Sequence, residues 1–519
     1  MISVAKNKSM THNNYLIFGL ILTGLVASLT SWAIWSLELK WAVFSFVGLL
    51  FPFILAMVRD TRRFIMGLMI FAVPLNADYY FVLHPSPGGA NGINIGLTDI
   101  LLVILIVQTF LYASNSKQTG AIKFFPAITL PTLAIIVISI FSLLQAKDVQ
   151  WGLFDIISFA KAFLFFFFLA NNIKNKDDLT LVLKAFFLGL VIQAVIVGLQ
   201  YYKGTNLGLL GLGEPSQILE FEMKAADVAR PGGTIGHCNH LARYIGLILP
   251  VSIILALVSV STKSMSRLAA FVSMAGILAL IYTLTRSSWI GLLLSIAVMI
   301  PFMFKYRLMS LRTIGKFALG LMLLLVLLSA YGDVIWDRLI SNDMGSTKTR
   351  LTTAEVALHV IEDHPILGVG INNYGSILEK YWSSKDGFTR IAAVHNTYLL
   401  YAAELGLVGF GAYLWLLTAF FTRIKKAMKS KSRYLSAIAV GVMGSFAGYL
   451  LTALSDKSYK ESFSLLIVFW SLMAIIEAII HINQRQEQIA AELLTNKSWM
   501  ETLKDFDIRK NLPLAGFNN

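Results

Sequence analysis

The chain has 519 residues, of which 56% are hydrophobic and only 14% are charged. Soluble domains carry about 25% charged residues, so this composition excludes a water-soluble globular fold. The formal net charge of +14 would suggest a nucleic-acid partner in a soluble protein. Here most lysines and arginines occupy short connections between apolar blocks, and no nucleic-acid partner is predicted. Cys238 is the only cysteine, which excludes an internal disulfide and a cysteine-built metal site.

The apolar residues come in uninterrupted blocks of about 17 to 22, long enough to cross a hydrocarbon core of about 30 Å as helices. Lipid offers the backbone no hydrogen bonds, and the alternating pattern of a membrane barrel is absent, so helices are the spanning elements. The pattern predicts an all-α, polytopic integral membrane bundle of about 14 transmembrane helices. The first block, about residues 15 to 35, lacks a small-residue cleavage site and is predicted to remain as an uncleaved helix.

Basic residues set the predicted orientation. With the amino terminus in the cytoplasm, every cytoplasmic connection carries Lys or Arg: Arg59 to Arg63, Lys117 to Lys123, Lys174 to Asp178, Lys263 to Arg267, Lys305 to Lys316 and Arg423 to Arg433. The carboxyl terminus then also lies in the cytoplasm. The tail beyond Gln484 contains IAAELLTNKSWMETLKDF, which fits an amphipathic helix on the membrane surface, and binding of a partner protein is an equal alternative.

We expect four parts in the chain. They are residues 1–200 with the amino-terminal transmembrane helices, 201–455 with the core and the outer loops, 456–482 with the last transmembrane helix, and 483–519 with the cytoplasmic tail.

Two substantial segments fall on the outer face, about 202–239 and 332–394. Loops between membrane helices are usually short, so a loop of about sixty residues with its own helical pattern indicates a lid or a binding platform. Apolar spacing predicts a short helix over 352–361, which His364-Pro365 ends.

Four polar sites also fall on the outer face: Arg230 before one span, Arg286 in a tight hairpin between two spans, Arg350 at the start of the loop helix, and His395-Asn396 at the entrance of a later span. Guanidinium groups bind phosphate through paired, charge-assisted hydrogen bonds, so these arginines predict a site for a lipid-linked pyrophosphate. They can stabilise the charge on a departing pyrophosphate without a metal. A neutral His395 can accept the proton of an attacking sugar hydroxyl. No metal and no cofactor are predicted.

Each of these residues also has a structural interpretation. Arg230 and Arg350 fit solvated loop charges, and Arg286 fits a side chain that reaches the lipid head groups. His395 fits an interfacial histidine, with Asn396 as the amino-terminal cap of the next helix. The functional interpretation is favoured because all four sites fall on one face.

Four segments carry a resemblance to a known family: RPGGTIGHCNHLARY, TLTRSSWIG, TRLTTAEVALHVIEDHPILGVGINNY and HNTYLLYAAELGLVGFGAY. They extend from about Arg230 to Tyr413, and in this order they resemble the O-antigen ligase and polymerase superfamily of bacterial membrane glycosyltransferases. One departure is Gly-His-Cys-Asn, where many relatives have a proline before the asparagine.

The resemblance implies an inverting transfer of a glycan from undecaprenyl pyrophosphate to a sugar hydroxyl, on the periplasmic face of the inner membrane. By that likeness Arg230, Arg286 and Arg350 hold the pyrophosphate and His395 activates the acceptor. Arg243, one turn into the eighth span, extends the pyrophosphate-binding set. The implied partners are the lipid-linked glycan donor, a sugar acceptor on a lipid-linked glycan or on lipid A core, membrane lipids and other polysaccharide-assembly proteins.

Further charges lie within the apolar blocks. Asp155 and Lys161 share one span, and Glu404 lies in the segment AAELGLVG. A transporter would use such residues for ions or protons. The structural interpretation places Asp155 and Arg243 at interfaces and pairs Lys161 or Glu404 inside the bundle. Asn396 and Glu404 are expected to support the site.

Two reactions differ only in the acceptor. A polymerase uses the terminal sugar of another lipid-linked glycan, whereas a ligase uses lipid A core or a protein. Fourteen spans and the RPGGTIG segment favour a polymerase of O-antigen or exopolysaccharide. From other classes, a secondary transporter of a small anion would show paired helix breaks in two related halves, and a non-catalytic scaffold would tolerate replacement of the arginines and the histidine.

Overall fold

A computed structural model of the protein describes residues 51, 54–86, 88–115, 122–221, 228–258, 262–340, 346–381, 393–457, 460 and 462–495. The predicted first helix over 15–35 lies outside these residues. The chain divides into two compact units, Met1–Ile65 and Met66–Asn519. In the first unit, Asp60 accepts a hydrogen bond from the backbone amide of Arg63 at 3.0 Å. All contacts below belong to the second unit.

The described residues form fifteen α-helices: α1 Thr61–Ala72, α2 Leu97–Asn115, α3 Pro126–Ser142, α4 Val149–Asn172, α5 Lys176–Lys203, α6 Cys238–Leu257, α7 Lys263–Tyr282, α8 Arg286–Lys305, α9 Leu311–Ala330, α10 Gly332–Ile340, α11 Ser346–Asp363, α12 Tyr374–Tyr381, α13 Thr397–Met428, α14 Arg433–Ala453 and α15 Phe463–Thr495. Nine helices in this part of the chain, α3 to α8 and α13 to α15, are long and apolar enough to cross a membrane. The prediction of a polytopic helical membrane protein is therefore confirmed.

Two small antiparallel hairpins depart from the all-α prediction. Strand β1, Asp78–Leu83, pairs with β2, Gly92–Gly96, and β3, Leu219–Phe221, pairs with β4, Val228–Arg230. The first hairpin contains DYYFVL, and its aromatic and β-branched residues favour a strand. A scan for apolar blocks does not separate such a hairpin from the helices on either side of it, because its strands are also apolar.

Polar caps explain where several helices begin. The carboxylate of Asp148 accepts hydrogen bonds from two backbone amides of the first turn of α4. The side chain of Asn175 accepts one such hydrogen bond from α5, and that of Asn396 accepts two from α13. These side chains satisfy amides that have no partner within a helix. The cap on α13 confirms the structural role predicted for Asn396.

Small residues allow the central helices to approach closely. A Cβ atom added at Gly448 of α14 would lie 2.6 Å from Oγ of Ser295 and 3.1 Å from the carbonyl oxygen of Gly291, both on α8. One added at Gly444 would lie 2.6 Å from Sδ of Met299. Membrane helices pack closely through such small residues. They bring α8 and α14 together next to the candidate site.

Four of the predicted cytoplasmic connections meet at one end of the bundle, which we call the basic end. Nζ of Lys123 lies 3.1 Å from Nδ1 of His481, and Arg433 donates a hydrogen bond to the carbonyl oxygen of Arg307 at 2.9 Å. The hydroxyl of Thr180, in the first turn of α5, bonds to a tyrosine of α14 at 2.9 Å.

The opposite end, which we call the site end, holds both β-hairpins, the α7–α8 turn, α10 to α12, residues 454–457 and residue 460. The predicted loop helix over 352–361 lies there as part of α11, which ends at Asp363, immediately before His364-Pro365, as predicted. The last membrane helix, α15, runs without interruption past residue 482 to Thr495. The predicted amphipathic tail therefore begins within this helix, and its part beyond Thr495 lies outside the described residues.

Candidate active site

The turn between α7 and α8 is the centre of the candidate site. It consists of Thr283, Leu284 and Thr285, and Leu284 has a positive φ of 51°. The carbonyl oxygen of Thr283 accepts a hydrogen bond from Nε of Arg230 at 3.2 Å. The carbonyl oxygen of Leu284 accepts one from Nε of Arg338 at 3.0 Å. Two guanidinium groups from distant parts of the chain are thus fixed on this turn.

Asn239 joins the RPGGTIG segment to the same turn. Its side-chain oxygen accepts from Nη2 of Arg230 and from the hydroxyl of Thr285, each at 3.3 Å. Its backbone oxygen accepts from Nη1 of Arg243 at 3.1 Å. Arg230 and Arg243 therefore flank one asparagine at the start of α6.

Arg243 is buried, with 2% of its surface exposed. One of its terminal nitrogens lies 2.7 Å from the carboxylate of Asp456 and 3.2 Å from the hydroxyl of Ser287. Burial of a charge needs such a partner, because an unpaired ion loses its hydration. The Arg243 side chain is therefore enclosed by the protein. Arg286 lies in the chain between two residues of this network, Thr285 and Ser287.

Asp456 also connects the arginines with the histidine segment. Its backbone oxygen accepts a hydrogen bond from the hydroxyl of Thr397 at 2.7 Å. Thr397 opens α13, directly after Asn396 and two residues after the half-buried His395. The segment that carries the predicted base is therefore tied through one aspartate to the arginine network.

The predicted residues do not all belong to this network. Arg230, Arg243, Arg286 and His395 lie on or beside it, whereas the side chain of Arg350 is exposed on α11. Among the described residues, no hydrogen bond connects the Arg350 side chain with the others. The opposite face of α11 packs in an apolar cluster with Ala393, Val394 and the first turns of α13. Arg350 thus lies on residues 346–381, which pack against residues on both sides of His395 and which we call the covering loop.

That loop is attached to a break in α13. Gly406 has φ 66° and ψ −176° and interrupts the helix. The backbone amide of Leu407 donates to the carbonyl oxygen of Pro365 at 2.7 Å, and the amides of Val369 and Gly370 donate to carbonyl oxygens of α13 at 3.0 Å. A Cβ atom added at Gly406 would lie 2.1 Å from the carbonyl oxygen of Ile366. The motifs HPILGVG and ELGLVG therefore bind each other through their backbones.

Next to this break lies a buried charge cluster. Lys460 contacts the carboxylate of Glu404, and its Nζ lies 3.2 Å from the carboxylate of Asp155. Lys161 pairs with Asp99 at 2.8 Å. The internal pairing predicted for Lys161 and Glu404 is thus confirmed, and Asp155 is also buried in the protein, at 6% exposure.

A polar junction fixes the other edge of the covering loop. Nε2 of His84 lies 2.8 Å from the carboxylate of Asp148, and the amide of Asp148 donates to the side-chain oxygen of Asn373 at 2.7 Å. Burial raises the pKa of the Asp148 carboxyl, but the hydrogen bonds from His84 and from the backbone amides of Trp151 and Gln150 outweigh it and hold the pKa below its ordinary value. The junction joins the first β-hairpin, α4 and the loop before α12.

Sequence reasoning missed Asp456 and Lys460. Both lie in a short polar stretch before the last membrane helix, and their partners are far away in the chain. Two acidic or basic residues near a span boundary are ordinary in a membrane protein. The only signal in the sequence is that buried Arg243 and Glu404 each require a counter-charge.

The sequence model of a protein family described as O-Antigen ligase matches residues 269–414. The match contains the turn with Arg286, the loop with Arg350 and the segment with His395, and it begins after the RPGGTIG segment with Arg230 and Arg243. The comparison with curated proteins gives no match to this chain. The resemblance read from the sequence is therefore confirmed: residues 269–414 of this integral membrane protein are similar to the O-antigen ligase family, which supports the O-antigen ligase and polymerase superfamily.

Proposed function

We propose that this protein transfers a glycan from undecaprenyl pyrophosphate to a sugar hydroxyl without a metal, at the periplasmic face of the bacterial inner membrane. The observation that carries the proposal is the network in which Arg230, Arg243 and Asp456 connect the α7–α8 turn with the segment of His395. The network attaches Arg230 to the turn that precedes Arg286, and it connects Arg243 through Asp456 with Thr397, two residues after His395.

In this proposal, Arg230 and Arg286 bind the pyrophosphate of the donor. Both lie at the amino-terminal end of α8, where the helix dipole adds to the attraction for an anion. Arg243 is neutralised by Asp456, so its role is to position Ser287 and the neighbouring Arg286. Arg350 completes the set from the covering loop, and its exposed side chain reaches the donor when that loop lies over it.

The reaction forms one bond and breaks one. The acceptor hydroxyl oxygen attacks the anomeric carbon of the donor, and the bond from that carbon to the pyrophosphate oxygen breaks. His395 takes the proton of the hydroxyl, and the electron pair leaves with the pyrophosphate, whose charge the arginines stabilise. Attack opposite to the leaving group inverts the configuration. Asn396 and Glu404 support His395 by capping α13 and by anchoring its first half through Lys460.

We infer a span count of about 14 for the whole chain. Besides the nine long helices, α9 has 20 residues and Leu97–Leu111 forms a shorter apolar helix. The helix α1 has 12 residues, about 18 Å of length, and is the shortest member of the count. The sequence before Arg59 supplies the remaining two predicted spans.

The orientation proposal can be tested by labelling. The only cysteine, Cys238, is buried, so Cys238→Ala gives a cysteine-free background. On that background, Asp333→Cys at the site end should react with a membrane-impermeant maleimide in intact spheroplasts. Lys429→Cys at the basic end should react only after permeabilisation. The opposite pattern would place the site in the cytoplasm.

Polymerisation of O-antigen or exopolysaccharide repeat units is our preferred reaction, and ligation onto lipid A core or a protein is the alternative. Cells that lack the gene distinguish them. Accumulation of single-repeat lipid-linked glycan indicates a polymerase, and long lipid-linked chains beside unsubstituted acceptor indicate a ligase. Unchanged glycans would contradict both reactions.

The interrupted helix α13 would also suit a transporter, since unwound helices expose backbone groups for ions. In this protein those groups are occupied. The amide of Leu407 donates to Pro365, and the carbonyl oxygens of Ala403 and Glu404 accept from the covering loop. The break serves as an attachment point for the loop, which favours the transferase.

A further inference from the structure

Four tyrosines form a cluster beside the α7–α8 turn. Tyr201 and Tyr202 end α5, Tyr282 ends α7, and Tyr331 follows α9. The rings of Tyr201 and Tyr282 are stacked, with centroids 4.2 Å apart and planes at 18°. Tyr331 meets the ring of Tyr282 edge-on at 5.6 Å. Three membrane helices thus each direct a phenol ring to one place at the site end.

The hydroxyl groups of this cluster converge. The oxygens of Tyr282 and Tyr331 are 2.7 Å apart, and that of Tyr202 is 3.3 Å from each of them. A phenol hydroxyl donates one hydrogen bond and accepts two. When the three hydroxyls bond to one another in a closed triangle, each donates one hydrogen bond and accepts one. Each oxygen then keeps one lone pair that can accept a further hydrogen bond.

The cluster is open on one side and close to the arginines. Tyr202 is 75% exposed, whereas Tyr282 is 6% exposed. Tyr282 is followed by Thr283, whose carbonyl oxygen binds Arg230. Through Tyr282 the cluster therefore adjoins the turn at which the proposed function places the pyrophosphate of the donor.

We propose that this tyrosine cluster is a subsite for a sugar ring of the lipid-linked glycan, an inference that rests on the proposed function. A sugar presents an apolar face of C–H groups and an edge of hydroxyl groups. The exposed ring of Tyr202 offers an aromatic surface for the face, and the three phenol oxygens accept hydrogen bonds from the edge. Since the first sugars of the donor are attached to the pyrophosphate, a platform beside Arg230 stands where those sugars must lie.

Tyrosines also anchor proteins at the membrane boundary, so the experiment must separate sugar binding from anchoring. Two probes are used with the purified full-length protein: undecaprenyl pyrophosphate without sugar, and lipid-linked glycan purified from cells that lack the gene. Tyr202→Ala should weaken binding of the glycan-bearing lipid about three- to tenfold and leave binding of the sugar-free lipid unchanged. Tyr202→Phe should retain part of the binding, because the ring remains.

Tyr79→Ala is the matched control, since Tyr79 is a half-exposed tyrosine on β1, also at the site end, but outside the cluster. It should bind both probes as the unaltered protein does. Equal binding of the glycan-bearing lipid by Tyr202→Ala, or an equal loss for both probes, would overturn the subsite. Failure of the unaltered protein to bind either probe would instead reject the proposed function and with it the subsite.

Discussion

The attachment of the covering loop to the break in α13 predicts a large effect for a single methyl group. Gly406→Ala places a Cβ atom 2.1 Å from the carbonyl oxygen of Ile366 and requires an alanine at φ 66°. A positive φ combined with a ψ near 180° is adopted almost only by glycine and costs another residue about 1–3 kcal/mol. Displacement of the loop also breaks the three backbone hydrogen bonds at 2.7 to 3.0 Å, each worth about 0.5–1.5 kcal/mol. The expected loss in the free energy of unfolding is about 3–7 kcal/mol.

The assay is titration of the detergent-solubilised protein with SDS, followed by tryptophan fluorescence, together with trypsin cleavage at the exposed Arg350 of the loop. Gly411→Ala is the matched control. Gly411 lies in the same helix, five residues further on, and no atom lies within 4 Å of the Cβ position. Its replacement should be neutral or stabilise α13 by up to about 1 kcal/mol. Equal stability and equal trypsin resistance of the two variants would refute attachment of the loop at the break.

Two further predictions concern the ion pairs of the site end. Asp456→Asn leaves the buried charge of Arg243 uncompensated and should cost about 3–5 kcal/mol in the same SDS titration; an unchanged midpoint would contradict the pair. The pKa of the Asp148 carboxyl is lower in the folded protein than in the unfolded chain. The carboxylate therefore stabilises the fold fully above its unfolded pKa of about 3.9. This stabilisation is lost as the pH falls through the lower pKa of the folded state. Below about pH 4, the midpoint of the SDS titration should move to a lower SDS concentration, and this change should be weaker in Asp148→Asn; an identical pH profile would exclude the carboxylate as its source.

Much of the site could be predicted from local sequence. The helix α11 ends where His364-Pro365 requires, because a residue before proline is disfavoured in a helix. Asn396 caps α13 because its side chain can reach the free amides of the first turn. Arg286 lies at a turn of three residues because two apolar blocks leave no more room between them. These features depend on residues close to one another in the chain.

The rest depends on distant contacts. The pairs of Arg243 with Asp456 and of Glu404 with Lys460 join segments that the sequence separates by 50 residues or more, and no local pattern identifies the partner. The break at Gly406 is concealed because AAELGLVG continues an apolar helical pattern on both sides. Only the docking of residues 365–370 makes the interruption favourable, since it supplies partners for the freed backbone groups.

Transfer by the purified protein in lipid vesicles tests the proposed chemistry most directly. The donor is lipid-linked glycan from cells that lack the gene, and the measured quantities are the extended or ligated glycan and the undecaprenyl pyrophosphate released. The unaltered protein should release one undecaprenyl pyrophosphate for each bond formed. His395→Ala should lose transfer by about 10²-fold or more while retaining its SDS stability, and His359→Ala, at an exposed histidine of α11, should remain active. Full transfer by His395→Ala, or glycan products without release of the pyrophosphate lipid, would contradict the mechanism.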